Sequence, residues 1–245
     1  MRAAVFIHLN GDSSGLLGKA LEQAGVTCEQ FHLHDNVPTP DPADHDILVV
    51  MGAAQQTWEE EANPWLIPEK AAIRHWVQDL KKPFFGICFG HQLLADSLGG
   101  EVGLAGTSEI GLSRVDRHGP GAADPVFGAM AENGNWMQWH HAEVKRAPEG
   151  AEIFASSPEC SIQAMHFGPS IVSIQFHAES SLNTIEKWKN DQETLDALHK
   201  ARGEGAYERL VADARERMPA TEQNAMRLFN RWIEVNSLGS ARLSA

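Results

Sequence analysis

A chain of 245 residues with 42% hydrophobic content is long enough to bury one large α/β core, and its formal charge of −13 argues against nucleic acid as a partner. No run approaches the ~20 apolar residues of a membrane span. Cys28, Cys88 and Cys160 are too few and too scattered for a disulfide frame or a metal knuckle, so a reducing cytoplasm is the expected compartment, with no metal and no cofactor.

In chain order the sequence alternates strand and helix as a doubly wound sheet does. Ala3 to Leu9 reads as a first strand rather than a signal peptide, because its apolar part is short and a glycine-aspartate loop follows at once. Leu16 to Ala24 places Leu16, Leu17, Ala20 and Leu21 on one helical face, closed by Gly25. Val26 to His34 is a second strand; a Pro- and Asp-rich loop then leads into Ile47 to Met51, a short apolar strand followed by Gly52, Ala53 and Ala54. Pro64 opens a helix carrying Trp65, Leu66, Ala72, Ile73, Trp76 and Leu80. After Gly100 come shorter alternating segments, EVGLAG, EIGLSRVDR, NWMQWHH, AEIFASS, IQAMHFG and IVSIQFHAE, which suit antiparallel strands beside a parallel core. From Leu182 onward the pattern is helical, with expected helices over Leu182 to Ala201, over Tyr207 to Met218, and around Met226 to Ile233. Residues 180–245 hold ten basic and ten acidic side chains, so the whole acidic excess falls on residues 1–179 and a composition shift marks the start of this tail.

The stretch that organises the rest is Pro83 to Gly100. Pro83, Phe84, Phe85 and Ile87 form a buried strand, and His91 to Leu98 continue at helical spacing until Gly99 and Gly100. Cys88 sits at the turn between them, flanked by Gly86 and Gly90. A nucleophile lifted onto a strained strand-to-helix turn needs neighbours small enough to let the chain pass. The thiol is left at a helix N-terminus, where unpaired N–H groups and the helix dipole favour an anion. The competing reading, a small core cysteine, accounts for Cys28 and Cys160 but not for the G-x-C-x-G frame around Cys88.

A thiol nucleophile needs a base, and a base needs an orienting group. His177 and Glu179 lie two residues apart after the apolar run Ile171, Val172, Ile174 and Phe176, a spacing that puts both on one face if the strand continues through them. His140 and His141, adjacent on a strand, face opposite ways with no partner cluster, which disfavours a metal site; one of them lining a pocket is the alternative. Trp136 and Trp139 read as core aromatics, with Trp139 also a candidate pocket wall.

The motif Gly86-Ile87-Cys88-Phe89-Gly90-His91-Gln92 together with Gln175-Phe176-His177-Ala178-Glu179 resembles the class I glutamine amidotransferases. Asp44 to Gly52 resembles that family's strand before the oxyanion loop, and Glu109-Ile110-Gly111 with Gln138-Trp139-His140 is similar to the free-standing branch related to the amidotransferase domain of GMP synthase. The resemblance covers about residues 1 to 180. It implies a flavodoxin-like, mostly parallel α/β sheet with a few antiparallel strands, carrying a triad of Cys88, His177 and Glu179. It further implies that the backbone N–H groups of Gly52 and Phe89 face the oxyanion and that Gln92 helps to seat the substrate's α-substituents, with Ala53, Trp139 and His140 as further candidates for the substrate or oxyanion site. Two departures stand out, Gly52-Ala53-Ala54 for the usual Gly-Gly-Pro and His177-Ala178-Glu179 for His-Pro-Glu.

The expected organisation is therefore a catalytic domain over 1–180 and a helical extension over 181–245 packed on it. No G-x-x-x-x-G-K-[ST] loop is present, and the 66 residues from Ser180 to Ala245 are too few for a synthetase domain. Three functions follow from the resemblance: hydrolysis of a γ-glutamyl amide bond through a thioester on Cys88, a glutaminase subunit feeding ammonia to a separate synthetase or ligase, or a non-catalytic regulatory protein on the same fold.

Overall fold

The computed structural model describes residues 1–9, 13–118 and 123–237. The glycine-aspartate loop expected at Gly11 and Asp12 lies outside them. Strands β1 (Arg2–Ile7), β2 (Thr27–His32), β3 (Ile47–Val50), β4 (Phe84–Ile87), β5 (Glu101–Arg117), β6 (Asn133–Arg146), β7 (Glu152–Ser156), β8 (Ala164–Phe167) and β9 (Ile171–Ile174) form one nine-stranded sheet in the order β2-β1-β3-β4-β9-β8-β7-β5-β6. The first five in that order pair in parallel and the remainder antiparallel.

Period-two burial on the parallel strands builds a core on each face. Ala3, Val5 and Ile7 of β1, with Val49 of β3 and Phe85 of β4, face helices α1 (Gly15–Gln23) and α6 (Ala206–Val235). Ala4 and Phe6, with Leu48 and Phe84, face α2 (Leu66–Arg74) and α3 (Phe89–Ser97). A third cluster joins Ile110 and Met137 of the antiparallel part to Ile185 of α4 (Leu182–Lys187), Leu198 of α5 (Gln192–Arg202) and Leu210 of α6. No helix among the described residues is long and apolar enough to cross a membrane.

Several elements differ from the sequence expectation for local reasons. The two segments EVGLAG and EIGLSRVDR are one strand, because β5 absorbs its irregular stretch as a register shift against β6 between Leu104 and Glu109. The tail helix expected over Leu182 to Ala201 is broken by Asp191, whose carboxylate accepts from the N–H groups of Glu193 and Thr194 and caps α5. Conversely, the last two expected helices are one, and α6 runs through Pro219. Strand β9 stops at Ile174, so His177 and Glu179 lie beyond it in a turn, not on the strand.

Candidate active site

Between β4 and α3 the chain reverses at one residue. Cys88 has φ 52° and ψ −102°, outside the regions a side chain ordinarily allows. Its N–H donates to the Ile174 carbonyl at 2.8 Å, and its own carbonyl accepts from His91 and Gln92 at 3.0 and 3.1 Å, so strand ladder and helix hydrogen bonding meet there without a spacer. The flanking glycines are steric requirements. A Cβ on Gly90 would stand 2.1 Å from the Val50 carbonyl oxygen, and one on Gly86 would stand 2.6 Å from that of Gly90. Close packing of α3 on β3 and β4 thus lifts the thiol to the C-terminal edge of the parallel strands, where ligands of open α/β sheets sit.

Beyond β9 the chain is tied down by backbone bonds rather than by a ladder. The His177 N–H donates to the Met137 carbonyl at 2.8 Å, and the Glu179 carbonyl accepts from Leu16 at the start of α1 at 2.9 Å. Gly15 (φ +49°) lets that approach happen, since a Cβ there would lie 2.3 Å from the Glu179 oxygen. Within this turn Nδ1 of His177 meets Oε1 of Glu179 at 2.7 Å. The pairing expected from the sequence is present, though the turn supplies it instead of strand alternation. Gly52 packs against both partners: a Cβ on it would lie 3.3 Å from His177 Cε1 and 3.9 Å from Cys88 Cβ.

Electrostatics separate these groups from the others of their kind. Burial alone would depress His177, but the negative charges of Glu179 and Cys88 outweigh it and hold the imidazole well above the ordinary histidine value. His91, which is fully buried, has no such neighbour; burial pushes it down to about 3, and its ring bonds Ser173 Oγ and the Ile162 carbonyl. Burial raises the Cys28 thiol to about 11 and pushes that of Cys160 up further, which leaves both poor nucleophiles at neutral pH.

A cleft of about 570 Å³ opens over Cys88, His177 and Glu179. Gly52 and Ala53 line one side, and Met137 and Trp139 of β6 another. Thr184, Trp188 and Thr194 of the C-terminal helical layer complete the lining. Trp139 and Trp188 meet edge to face at 5.2 Å, so the wall expected from Trp139 is completed by the tail.

Gln92 and His140 are placed elsewhere than expected. Gln92 is buried behind the cleft, donating to the Ala142 carbonyl at 2.9 Å and to Gln175 Oε1 at 3.1 Å. His140 turns away from the cleft: strand alternation gives Met137 and Trp139 to it and sends His140 to the far side. There its Nε2 lies 3.3 Å from Glu109 and its Nδ1 3.0 Å from the Ala142 carbonyl. Trp136 is core, packed on Phe176.

Three residues at the site are given no role by the sequence alone. Gln175 Nε2 lies 3.6 Å from Cys88 Sγ. His8, fully buried past the end of β1, bonds the Gly52 carbonyl through Nδ1 at 3.1 Å and Glu69 through Nε2 at 2.9 Å. A signal existed for Glu69, which shares the buried helical face of Leu66 and Ile73 where an apolar side chain is expected. His34, which lines the cleft, brings a donor atom within 4.8 Å of those of His32 and Asp35, a grouping that could hold a cation.

Comparison with known proteins adds a family to this geometry. The family described as "Glutamine amidotransferase class-I" matches residues 12–193. A glutamine-hydrolyzing GMP synthase subunit of Saccharolobus solfataricus is 29% identical over 187 residues, spanning 75% of this chain and 94% of that protein. The protein of the same name from Sulfolobus acidocaldarius is 31% identical over 193 residues, 78% of this chain and 96% of its own. Among solved structures, a glutamine amidotransferase from Thermotoga maritima superposes with a TM-score of 0.84 at 22% identity, covering 96% of this chain and 98% of its own. One from Methylobacillus flagellatus gives 0.82 at 21%, covering 95% and 94%.

Proposed function

Since the chain belongs to the class I glutamine amidotransferase family, we propose that it cleaves a γ-glutamyl amide bond through a thioester on Cys88. Cys88 gives its proton to His177, its sulfur attacks the γ-carboxamide carbon, and the C=O electron pair moves to oxygen. Backbone N–H groups of the Gly52-Ala53 loop and of Phe89, the first residue of α3, stabilise that oxyanion. His177 delivers a proton to the departing nitrogen, the C–N bond breaks, and the amine or ammonia leaves. Water then attacks the thioester with His177 as base, releasing the γ-carboxylate and restoring the thiol. Glu179 orients the imidazole and stabilises its protonated form. The observation that carries this reading is the strained Cys88 elbow and the His177–Glu179 pair facing one cleft across Gly52.

The leaving group we assign is an amine with an apolar body rather than ammonia alone, because the paired Trp139 and Trp188 give the cleft an apolar wall. Each buried CH₂ of the amine then improves binding by at most about 0.8 kcal/mol. A second reading is favoured by the relatives, whose names mark them as the glutamine-hydrolyzing part of GMP synthase: an ammonia-supplying glutaminase that works with a separate synthetase. The kcat/KM series for glutamine, γ-glutamyl dipeptides and γ-glutamyl alkyl or aryl amides separates the two, alongside mass spectrometry after a glutamine-mimicking electrophile. We expect the adduct on Cys88 and the amides ahead of glutamine. Glutamine best by a wide margin, or turnover only after a synthetase is added, establishes the second reading; labelling at Cys28 or Cys160 rejects both.

A further inference from the structure

The Gly52 loop has a support that its position in the sheet does not require. Strand β3 ends at Val50, and a last ladder-type bond runs from the Met51 N–H to the Phe6 carbonyl at 3.1 Å. The next carbonyl, that of Gly52, accepts from Nδ1 of His8 at 3.1 Å. A carbonyl can only accept, so Nδ1 carries a proton. On the other side of the ring, Nε2 meets Oε1 of Glu69 at 2.9 Å, with both side chains wholly buried. The carboxylate thus holds the ring in the orientation that directs Nδ1–H at the loop. Two aromatic contacts fix its plane: Trp65 stacks on it at 5.4 Å, and Phe89 meets it edge-on at 5.3 Å.

Burying an ionisable pair costs desolvation that an apolar pair of similar size would avoid, so stability alone gives no reason for one here. Its geometric effect is specific. In a trans peptide the N–H points opposite to the C=O, so holding the Gly52 oxygen fixes the direction of the Ala53 N–H. We infer that His8 and Glu69 are a positioning pair that locks the Gly52–Ala53 peptide with its N–H presented to the oxyanion formed at Cys88. The inference rests on the γ-glutamyl hydrolase reading of the site and adds residues to it.

Replacing His8 tests it. His8→Phe keeps the ring contacts and removes the bond to Gly52; His8→Asn keeps a donor near the place of Nδ1. Loss of an oxyanion donor costs about 10²–10³-fold in kcat, and a donor left free to turn away should cost roughly 10–100-fold with KM nearly unchanged. His8→Asn should recover most of that loss. The rate of Cys88 alkylation by iodoacetamide, a displacement that forms no oxyanion, should be the same in wild type and both variants. Should His8→Phe fail to fold, Glu69→Leu probes the other end of the chain, with an expected fall in kcat of about 3–10-fold and no change in alkylation. Undiminished kcat in His8→Phe, a parallel loss of kcat and alkylation, or His8→Asn no better than His8→Phe would each overturn the positioning role. A wild-type protein that turns over no γ-glutamyl amide would instead remove the premise, and the inference with it.

Discussion

The strain at Cys88 makes a stability prediction that runs against ordinary residue preference. Elsewhere in a folded chain glycine is less stabilising than alanine by about 0.5–1 kcal/mol, because the unfolded chain gains freedom and the methyl group is lost. At φ 52° and ψ −102° a side chain costs on the order of 1–3 kcal/mol that glycine escapes. The difference leaves Cys88→Gly more stable than Cys88→Ala by about 1 kcal/mol, or roughly 2–4 °C in Tm for a chain of this size. Both variants lack the thiol and should be inactive, so the comparison reports on the backbone alone. Urea unfolding at neutral pH, followed by tryptophan fluorescence and circular dichroism, measures it. An alanine variant as stable as the glycine variant, or more so, would mean that the turn is relaxed and that strain has no part in presenting the nucleophile.

Three further outcomes concern His177, its partner Glu179 and His91. His177→Ala should abolish turnover almost as completely as loss of the thiol. Glu179→Gln should be milder and should move the alkaline limb of kcat/KM to lower pH, because it removes a negative charge that raises His177; an unmoved limb would refute the pairing. His91 contributes to acid sensitivity of the fold: the unfolded chain takes up its proton near pH 6.5 while the native state refuses it until about 3, so stability is full above 6.5 and falls as pH drops through this window. By pH 4.5 the loss is of the order of 2–3 kcal/mol. Unfolding free energies at pH 7 and 4.5 in wild type and His91→Leu should differ in slope, and equal slopes would exclude His91 as the source.

Much of this arrangement was legible because short-range rules govern it. The apolar run ending at Ile87, the glycines at 86 and 90 and the helical spacing after Cys88 are local, and the elbow follows from them. The His177–Glu179 pair was legible for the wrong reason, as β9 ends at Ile174 and the pairing depends on long-range bonds to Met137 and Leu16. Gln92 and His140 could not be placed from pattern alone: their roles depend on which side of α3 and β6 faces the cleft, and that is set by packing against Gln175 and Glu109. His8 and Glu69 are 61 residues apart and meet only after the sheet is wound. A glutamate on an apolar helix face marks such a hidden partner, but it does not say who the partner is.

The tail, expected to be a helical extension packed on the catalytic domain, makes its contacts with the nucleophile's own strand. Phe229 and Trp232 of α6 are fully buried and meet Phe85 of β4 at 5.4 and 5.1 Å, three residues before Cys88. Losing one such aromatic to alanine costs about 3–5 kcal/mol, a large share of the 5–15 kcal/mol that holds a domain folded. Glu222 of the same helix accepts from the Leu182 N–H at 2.7 Å, fixing the start of α4 just after Glu179. Trp188, from the turn after α4, then completes the cleft wall. We therefore propose that the helical segment after residue 180 is part of one cooperative unit with the sheet. On that account the C-terminal helices bear on both the stability of the strand that presents Cys88 and the shape of the space its substrate would fill. Changes in the tail should then alter the preference among leaving groups even where the Cys88, His177 and Glu179 geometry is untouched.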